Sequence, residues 1–265
     1  MLWKFENLFA LATLTAGIDR TGLQRLDAVL FPSGIGEFEE EKYRVMSGSR
    51  ALQRLEPLTP DILGEMFVLD HLDPRKGADS RLAELFRQRA WEINPVGMIA
   101  FLARSTMDFP LHPTLNPLTQ PVDTDPIVRI GWALAAFFLC TAHGSAGRIS
   151  EARALYQDLV ALSEAHPDEP AVREPRAKAA YNLMYDYIGH GKLEEARALY
   201  EGLVALSEAH PDEPAVREQR AMATVNLGVV YGKQGQLEAA RALYEGLVAL
   251  SEAHPDEPAV REPRA

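Results

Sequence analysis

Seven histidines, one cysteine and 38 acidic residues are the raw material for chemistry in this chain. His166, His210 and His254 are copies of one loop position and read as structural punctuation. His71, His112, His143 and His190 have no second ligand at a metal-binding spacing such as H-E-x-x-H. Cys140 stands beside Phe137, Phe138 and Leu139, the setting of a buried small apolar residue rather than a nucleophile. One cysteine also excludes an internal disulfide and a cysteine-rich zinc site. Phosphate chemistry needs G-x-x-x-x-G-K-[ST], which occurs nowhere; Ser33-Gly34-Ile35-Gly36 lacks the lysine that would reach a phosphate. The carboxylates recur with the loops and read as helix caps and solvated faces. The expectation is a protein without a catalytic site, metal or cofactor.

Charge narrows the partners. The net charge of −11 divides into −4 over residues 1–130 (14 basic, 18 acidic) and −7 over 131–265 (13 basic, 20 acidic). Neither half has the basic excess that draws nucleic-acid phosphates or anionic lipid, so neither partner is expected. The lone cysteine fits a reducing cytoplasm. Met1 to Gly17 has a short apolar stretch, Leu8–Leu14, and Glu6 where an export signal wants positive charge, so it reads as an amphipathic helix. No unbroken apolar run approaches the ~18 residues of a membrane span.

Self-similarity dominates the C-terminal half. His-Pro-Asp-Glu-Pro recurs at 166–170, 210–214 and 254–258, a period of 44; residues 151–177 match 195–221 at 24 of 27 positions, and 195–221 match 239–265 at 25 of 27. Such copies arise by duplication. Each unit reads as two helices, A and B. Helix B of the middle copy spans Leu193–Ala209, with Leu193, Ala196, Leu199/Tyr200, Leu203 and Leu206 on one stripe and Arg197 paired to Glu201 at i, i+4. His210-Pro211 ends it, because the residue before proline leaves the α region. Asp212 is placed to cap the next helix A, with Pro214 in its first turn; that helix passes Asn226-Leu227-Gly228 to Tyr231, and Gly235 closes the turn.

These residues resemble the tetratricopeptide repeat. Its Leu-Gly…Tyr…Ala…aromatic pattern falls on Leu227, Gly228, Tyr231, Ala240 and Tyr244, and again on Leu183, Tyr187, Ala196 and Tyr200 with Met184 in place of glycine. A degenerate copy has Leu139, Ala152 and Tyr156, with Cys140 and His143 at the glycine and tyrosine positions. The period exceeds the family's usual length, which implies longer helices, similar to the repeats of kinesin light chains. The resemblance implies a mainly α fold, a tetratricopeptide-like right-handed helical superhelix over residues 131–265. Its A helices would line a concave groove that takes a protein or peptide.

The repeats diverge selectively. Helix B and its loop are nearly invariant, whereas Lys178–Glu194 and Met222–Glu238 agree at only 7 of 17 positions, largely those needed to pack and turn. That is the pattern of a constant scaffold with a diversified face. Groove positions map to Leu134, Phe137 and Thr141, then Lys178, Tyr181 and Tyr185, then Met222, Val225 and Val229, an apolar and aromatic surface. Asn182 and Asn226 precede the packing leucine one repeat apart. In the family such asparagines hold an extended peptide backbone; a role within the helix pair is the alternative.

In residues 1–130, Leu8–Gly17 reads as a helix ending in glycine and Leu23–Leu30 as a second. Leu55-Glu56-Pro57-Leu58 reads as a turn, and Thr59 and Pro60 start a helix with Ile62, Leu63, Met66, Phe67 and Leu69 as its apolar positions. Helices at Ser80–Trp91 and from Asn94-Pro95 to about Asp108 follow, and then a proline-rich linker from Pro110 to Pro126. Residues 5–110 resemble the winged-helix region of bacterial STAND ATPases, relatives of NACHT and NB-ARC proteins, where it precedes a repeat sensor; the ATPase module itself is absent. The expected domains are a small winged-helix-like helical domain at 1–75, a helical connector and linker at 76–130, and the repeats at 131–265. The expected function is a non-catalytic cytoplasmic interaction scaffold; the alternative is the sensor part of a split or truncated STAND signalling system. Leu243, Leu247 and Leu250 repeat the stripe of the preceding unit without a polar adaptation, so self-association through the C-terminal repeat edge is a further expectation. With no loop to cradle phosphate, calorimetric titration with Mg-ATP is expected to show no saturable binding in the micromolar range.

Overall fold

The computed structural model describes residues 2–19, 22, 54–58, 61–119 and 126–262, and it divides into two compact units, residues 1–135 and 136–265.

The first unit is built around α1 (Leu2–Leu14). From Leu8 to Thr15 every residue is buried. A helix apolar all round belongs at the centre of a core, so the amphipathic reading of this segment is corrected. Ala16 and Gly17 turn the chain with positive φ, and Ile18–Asp19 (β1) pairs antiparallel with Arg54–Leu55 (β2), Ile18 opposite Leu55. Leu55 is thus in a strand rather than a turn. The helix expected at 23–30, the Thr59-Pro60 start signal and the Ser33–Gly36 segment lie outside the described residues, and with them most of what the winged-helix-like reading rests on.

Around α1 pack α2 (Asp61–His71), α3 (Ser80–Ile93) and α4 (Pro95–Asp108), close to the expected spans. Helix α2 departs in part from its apolar pattern: of its expected apolar positions Leu69 is buried and Phe67 half-buried, but the other three are not. Ile62 and Leu63 are 51% and 64% exposed and Met66 is also exposed, while Gly64, Glu65, Val68 and Leu69 face inward. Close approach decides it: a Cβ on Gly64 would stand 2.6 Å from the Leu58 carbonyl oxygen and 3.1 Å from Thr13, so only the glycine face fits against α1. The buried Glu65 is answered by Arg104 Nε at 2.7 Å, although burial still holds its carboxyl above the ordinary range. Asn94 caps α4 through Gly97 N–H and donates to the Thr15 carbonyl at 2.9 Å. The stretch expected as irregular linker contains a helical turn, α5 (Leu115–Leu118), whose Leu115 and Leu118 are buried and whose neighbour Thr119 accepts from the Trp132 indole.

Helix α6 (Pro126–Ser145) has its first ten residues in this unit and its last ten in the second. It corrects one expectation. Arg129 is its single charged residue besides the weakly basic His143, and by length and composition it is apolar enough to cross a membrane, with just over half of its apolar window buried in the protein. Small residues raise its apolar character without making an unbroken run of large ones.

The second unit continues as helix pairs: α6 with α7 (Ile149–Ala165), α8 (Pro170–Gly189) with α9 (Leu193–Ala209), and α10 (Pro214–Lys233) with α11 (Leu237–Ala253). The turn α12 (Pro258–Arg261) starts another A helix, its Val260 buried. The mainly α fold of tetratricopeptide-like pairs expected from sequence is the fold observed, and the A helices are long, at 20 residues each. Ala196, Leu199, Leu203 and Leu206 form the buried stripe of α9 as expected, and Arg197 meets Glu201 at 2.9 Å on the exposed side. Gly147, Gly191 and Gly235 carry φ near +73°, +72° and +76° in the A-to-B turns, the left-handed region that glycine enters without strain.

The capping expectation is corrected. Glu213, not Asp212, is the N-cap of α10, and no side chain caps it. The Glu213 carboxylate is engaged elsewhere: it accepts from Arg173 Nε at 2.8 Å, 40 residues back, while the Arg173 guanidinium also donates to the Pro167 carbonyl of its own loop. Arg217, Pro211 and Glu257 repeat the arrangement, with Arg217 Nε 3.0 Å from Glu257. Both arginines are buried. Pro-x-Val-Arg occurs at 126–129, 170–173, 214–217 and 258–261, a periodic signal that places the first A helix at Pro126.

The Arg217 hydrogen bonds hold the Glu257 carboxyl below the ordinary glutamate range. A carboxyl whose pKa falls on folding contributes stability that is fully present above its unfolded pKa of about 4.3 and is lost as pH drops through the lowered folded value. Urea unfolding should therefore find Glu257→Gln less stable than wild type at about pH 6, with the gap narrowing by about pH 3. Arg217→Met should cost about 1–3 kcal/mol at neutral pH, because it strands the Pro211 carbonyl and Glu257 together; a gap that widens in acid would contradict this account.

Candidate interaction face

The A helices of the second unit lie side by side and are tied across one face. Asn182 Nδ2 on α8 donates to Thr141 Oγ1 on α6 at 2.9 Å. Asn226 Nδ2 on α10 donates to Tyr181 OH on α8 at 3.0 Å. The two asparagines are thus cross-links between neighbouring A helices, and their nitrogen ends are used in packing. Each keeps a carbonyl oxygen with no hydrogen bond among the described residues.

Residues that share the strip with these cross-links are placed as follows. Tyr185 is 60% exposed and Val229 40% exposed. Tyr181, Met222 and Val225 are half-buried. Lys178 is also half-buried and spends its charge on Glu174, 2.6 Å away and one turn earlier on the same helix. Phe137 is half-buried, with its ring 5.2 Å from that of the exposed Phe138. Leu134 falls in the first unit and is not part of this set. Met222 lines a hollow of about 310 Å³ with Glu218, Pro258, Ala259 and Glu262. A second hollow, about 600 Å³ and mostly apolar, is lined by Gly228, Val229, Leu237, Ala240, Tyr244 and Val248 among others. Phe138 and Asp186 were not singled out from the sequence. Asp186 has a signal there, since its equivalents 44 residues away are Ala142 and Val230.

Two groups that could do covalent chemistry, Cys140 and His143, are buried. Cys140 is buried, its Sγ donates to the Ala152 carbonyl at 3.3 Å, and burial, with a smaller contribution from Asp186, pushes its thiol up to about 12. His143 is buried and held below the ordinary histidine range by desolvation. His166, His210 and His254 are the C-cap residues of α7, α9 and α11, the punctuation expected of them. Among the described residues no three of His, Cys, Asp and Glu come together as a metal site. Only the thiolate reacts with disulfide reagents. The native chain is therefore expected to leave 5,5′-dithiobis(2-nitrobenzoate) unreduced at about pH 8, near the free-thiol pKa. One thiol should titrate once urea unfolds the protein; rapid native reaction would show that Cys140 is accessible.

Residues 220–254 match the tetratricopeptide repeat family, a stretch that runs from Arg220 in α10 through the Gly235 turn and all of α11. No curated protein and no solved structure matches the chain. The match covers one helix pair; the two pairs before it share its Gly turn, and α8 with α9 shares its Arg–Glu tie as well. The second unit is therefore tetratricopeptide-like.

Proposed function

We propose that the chain is a non-catalytic protein–protein interaction scaffold whose A-helix face binds a protein or peptide. The observation that carries this reading is the contrast between the two helix types. The B helices are nearly identical copies, while the A helices differ at most positions outside those that pack and turn, and their variable residues include the exposed Tyr185 and Val229. Exposed aromatic and aliphatic side chains on a rigid helical face are the anchors of protein interfaces. The partner-binding set is Phe137, Lys178, Tyr181, Asn182, Tyr185, Met222, Val225, Asn226 and Val229, acting in the cytoplasm. The exposed Leu237, Tyr244 and Val248 on α11 support self-association at that edge. The sensor reading has the STAND resemblance of residues 5–110 as its support, and a neighbouring gene for a phosphate-loop ATPase would favour it.

Replacing Tyr185 and Val229 with glutamate should abolish capture of the native partner by the full chain and leave its helical circular dichroism unchanged. Replacing Arg197 and Arg241, whose ion pairs are exposed on α9 and α11, should change capture by less than about 0.5 kcal/mol. Loss of capture in the arginine variants, with the Tyr185 and Val229 variants unaffected, would move the binding face to the B helices.

A further inference from the structure

One turn beyond the Asn182–Thr141 bond, the Asp186 carboxylate lies against the backbone of α6. A Cβ built on Gly144 would stand 1.9 Å from Asp186 Oδ2, so the glycine is what admits the acid there. The carboxyl is half-buried and held above the ordinary range by desolvation, with nearby His190 acting in the opposite direction. No lysine or arginine pairs with it among the described residues. In the first turns of α10 and at the end of α12, Glu218 and Glu262 line the 310 Å³ hollow beside Met222, and neither meets a cation among the described residues.

The chain itself shows what completes such a site. Glu174 is the equivalent of Glu218 one repeat earlier, and there Lys178 answers it at 2.6 Å. At the equivalent of Lys178 the next repeat has Met222, so Glu218 has an apolar residue at the position from which a lysine answers Glu174. The second unit is strongly acidic, with 13 basic and 20 acidic residues over 131–265. The strip therefore combines apolar contact area with carboxylates that lack their counter-charge.

We infer that the partner is a basic segment, its apolar side chains lying on Tyr185, Val225 and Val229 and its lysine or arginine side chains reaching Asp186 and the Glu218–Glu262 hollow. This rests on the A-helix reading above and adds the chemistry of the partner. Opposite charges across an interface set specificity and association rate, and partly desolvated carboxylates gain most from a cation.

The test is selection of a random peptide library on the full chain. Net charge alone would enrich basic peptides on any surface, so the selection is run on two neutralised variants that lose the same charge. One is Asp186→Asn with Glu218→Gln and Glu262→Gln. The other is Glu195→Gln with Glu238→Gln and Glu252→Gln, exposed positions on the B helices. Wild type and the B-helix variant should enrich peptides that carry lysine or arginine next to aromatic or aliphatic residues. Those peptides should bind the groove variant at least about tenfold more weakly and lose affinity as salt rises from about 50 to 300 mM. Equal enrichment of basic peptides on all three proteins, enrichment of neutral or acidic ones, or no enrichment at all would overturn the inference. Neutral or acidic peptides whose binding is lost on Tyr185→Glu would overturn it and leave the A-helix face standing as the binding surface.

Discussion

Successive repeats of the second unit are joined by a buried arginine that binds two of them at once. Arg173 donates to the Pro167 carbonyl of the loop that opens its own helix pair and to Glu213 in the loop that opens the next; Arg217 does the same with Pro211 and Glu257. A guanidinium has five donors in a rigid plane, so it can serve a carbonyl and a carboxylate together where a lysine could not hold both. A buried charge of this kind is costly when half-satisfied, which makes the register of successive repeats close to all-or-none. Deleting one residue between Arg173 and Glu213 would break the tie. The 44-residue period is accordingly maintained by a polar constraint as well as by the leucine stripes.

That constraint also accounts for the distribution of change along the repeat. Loop, tie and B helix form one connected set: His-Pro ends the B helix, the proline carbonyl receives the arginine, and the glutamate caps the following A helix by position rather than by side-chain bond. Substitution at any of these is felt by two repeats. The later turns of the A helix are outside the set, beyond the packing residues Leu183, Tyr187, Leu227 and Tyr231, and there the copies diverge. Met184 and Gly228 show how far the latitude extends even at a packing position. Gly228 leaves room for the Tyr244 ring, whose Cζ would stand 2.8 Å from an added Cβ, while Met184 fills the equivalent place and is itself buried.

The helix pairs were legible in the sequence because duplication printed them three times, and Leu193–Ala209 emerges with the bounds its stripe and its His-Pro stop dictate. What was not legible depends on distance in the chain. Periodicity marks Ile62, Leu63, Met66, Phe67 and Leu69 as the apolar positions of α2, yet only Leu69 of these is buried, and Gly64 and Glu65 face inward because Leu58 and Thr13 leave no room for a larger residue at 64 and Arg104 supplies a counter-charge 39 positions away. Asp212 satisfies the local rule for a cap, but Glu213 is drawn to an arginine one repeat earlier. In both cases a long-range polar or steric demand outweighs a local preference worth about 1 kcal/mol. The candidate face could be named from the sequence only as a list of positions, carried over from the groove of the repeats that the chain resembles. Its charge could not. Lys178 looks like a groove cation until Glu174 is seen to neutralise it, and Asp186 looks like one acid among many until Gly144 is seen beside it.

The asparagines illustrate how scaffold and site share the same atoms. Asn182 and Asn226 each bridge two A helices through the amide nitrogen, one to Thr141 and one to Tyr181. The partners differ because the A helices differ: on α8 the hydroxyl is that of Tyr181, one position before Asn182, and on α6 it is that of Thr141, three positions after Phe138, the residue equivalent to Asn182. An amide donor accepts either, so this cross-link tolerates diversification that a shape-matched apolar contact would not. It fixes the spacing between neighbouring helices while leaving the outward side chains, Tyr185 and Val229, free of packing duty. A repeat protein that must vary its surface without disturbing its register needs a contact of this type at the boundary between the two, and the asparagine stands at that boundary in both repeats.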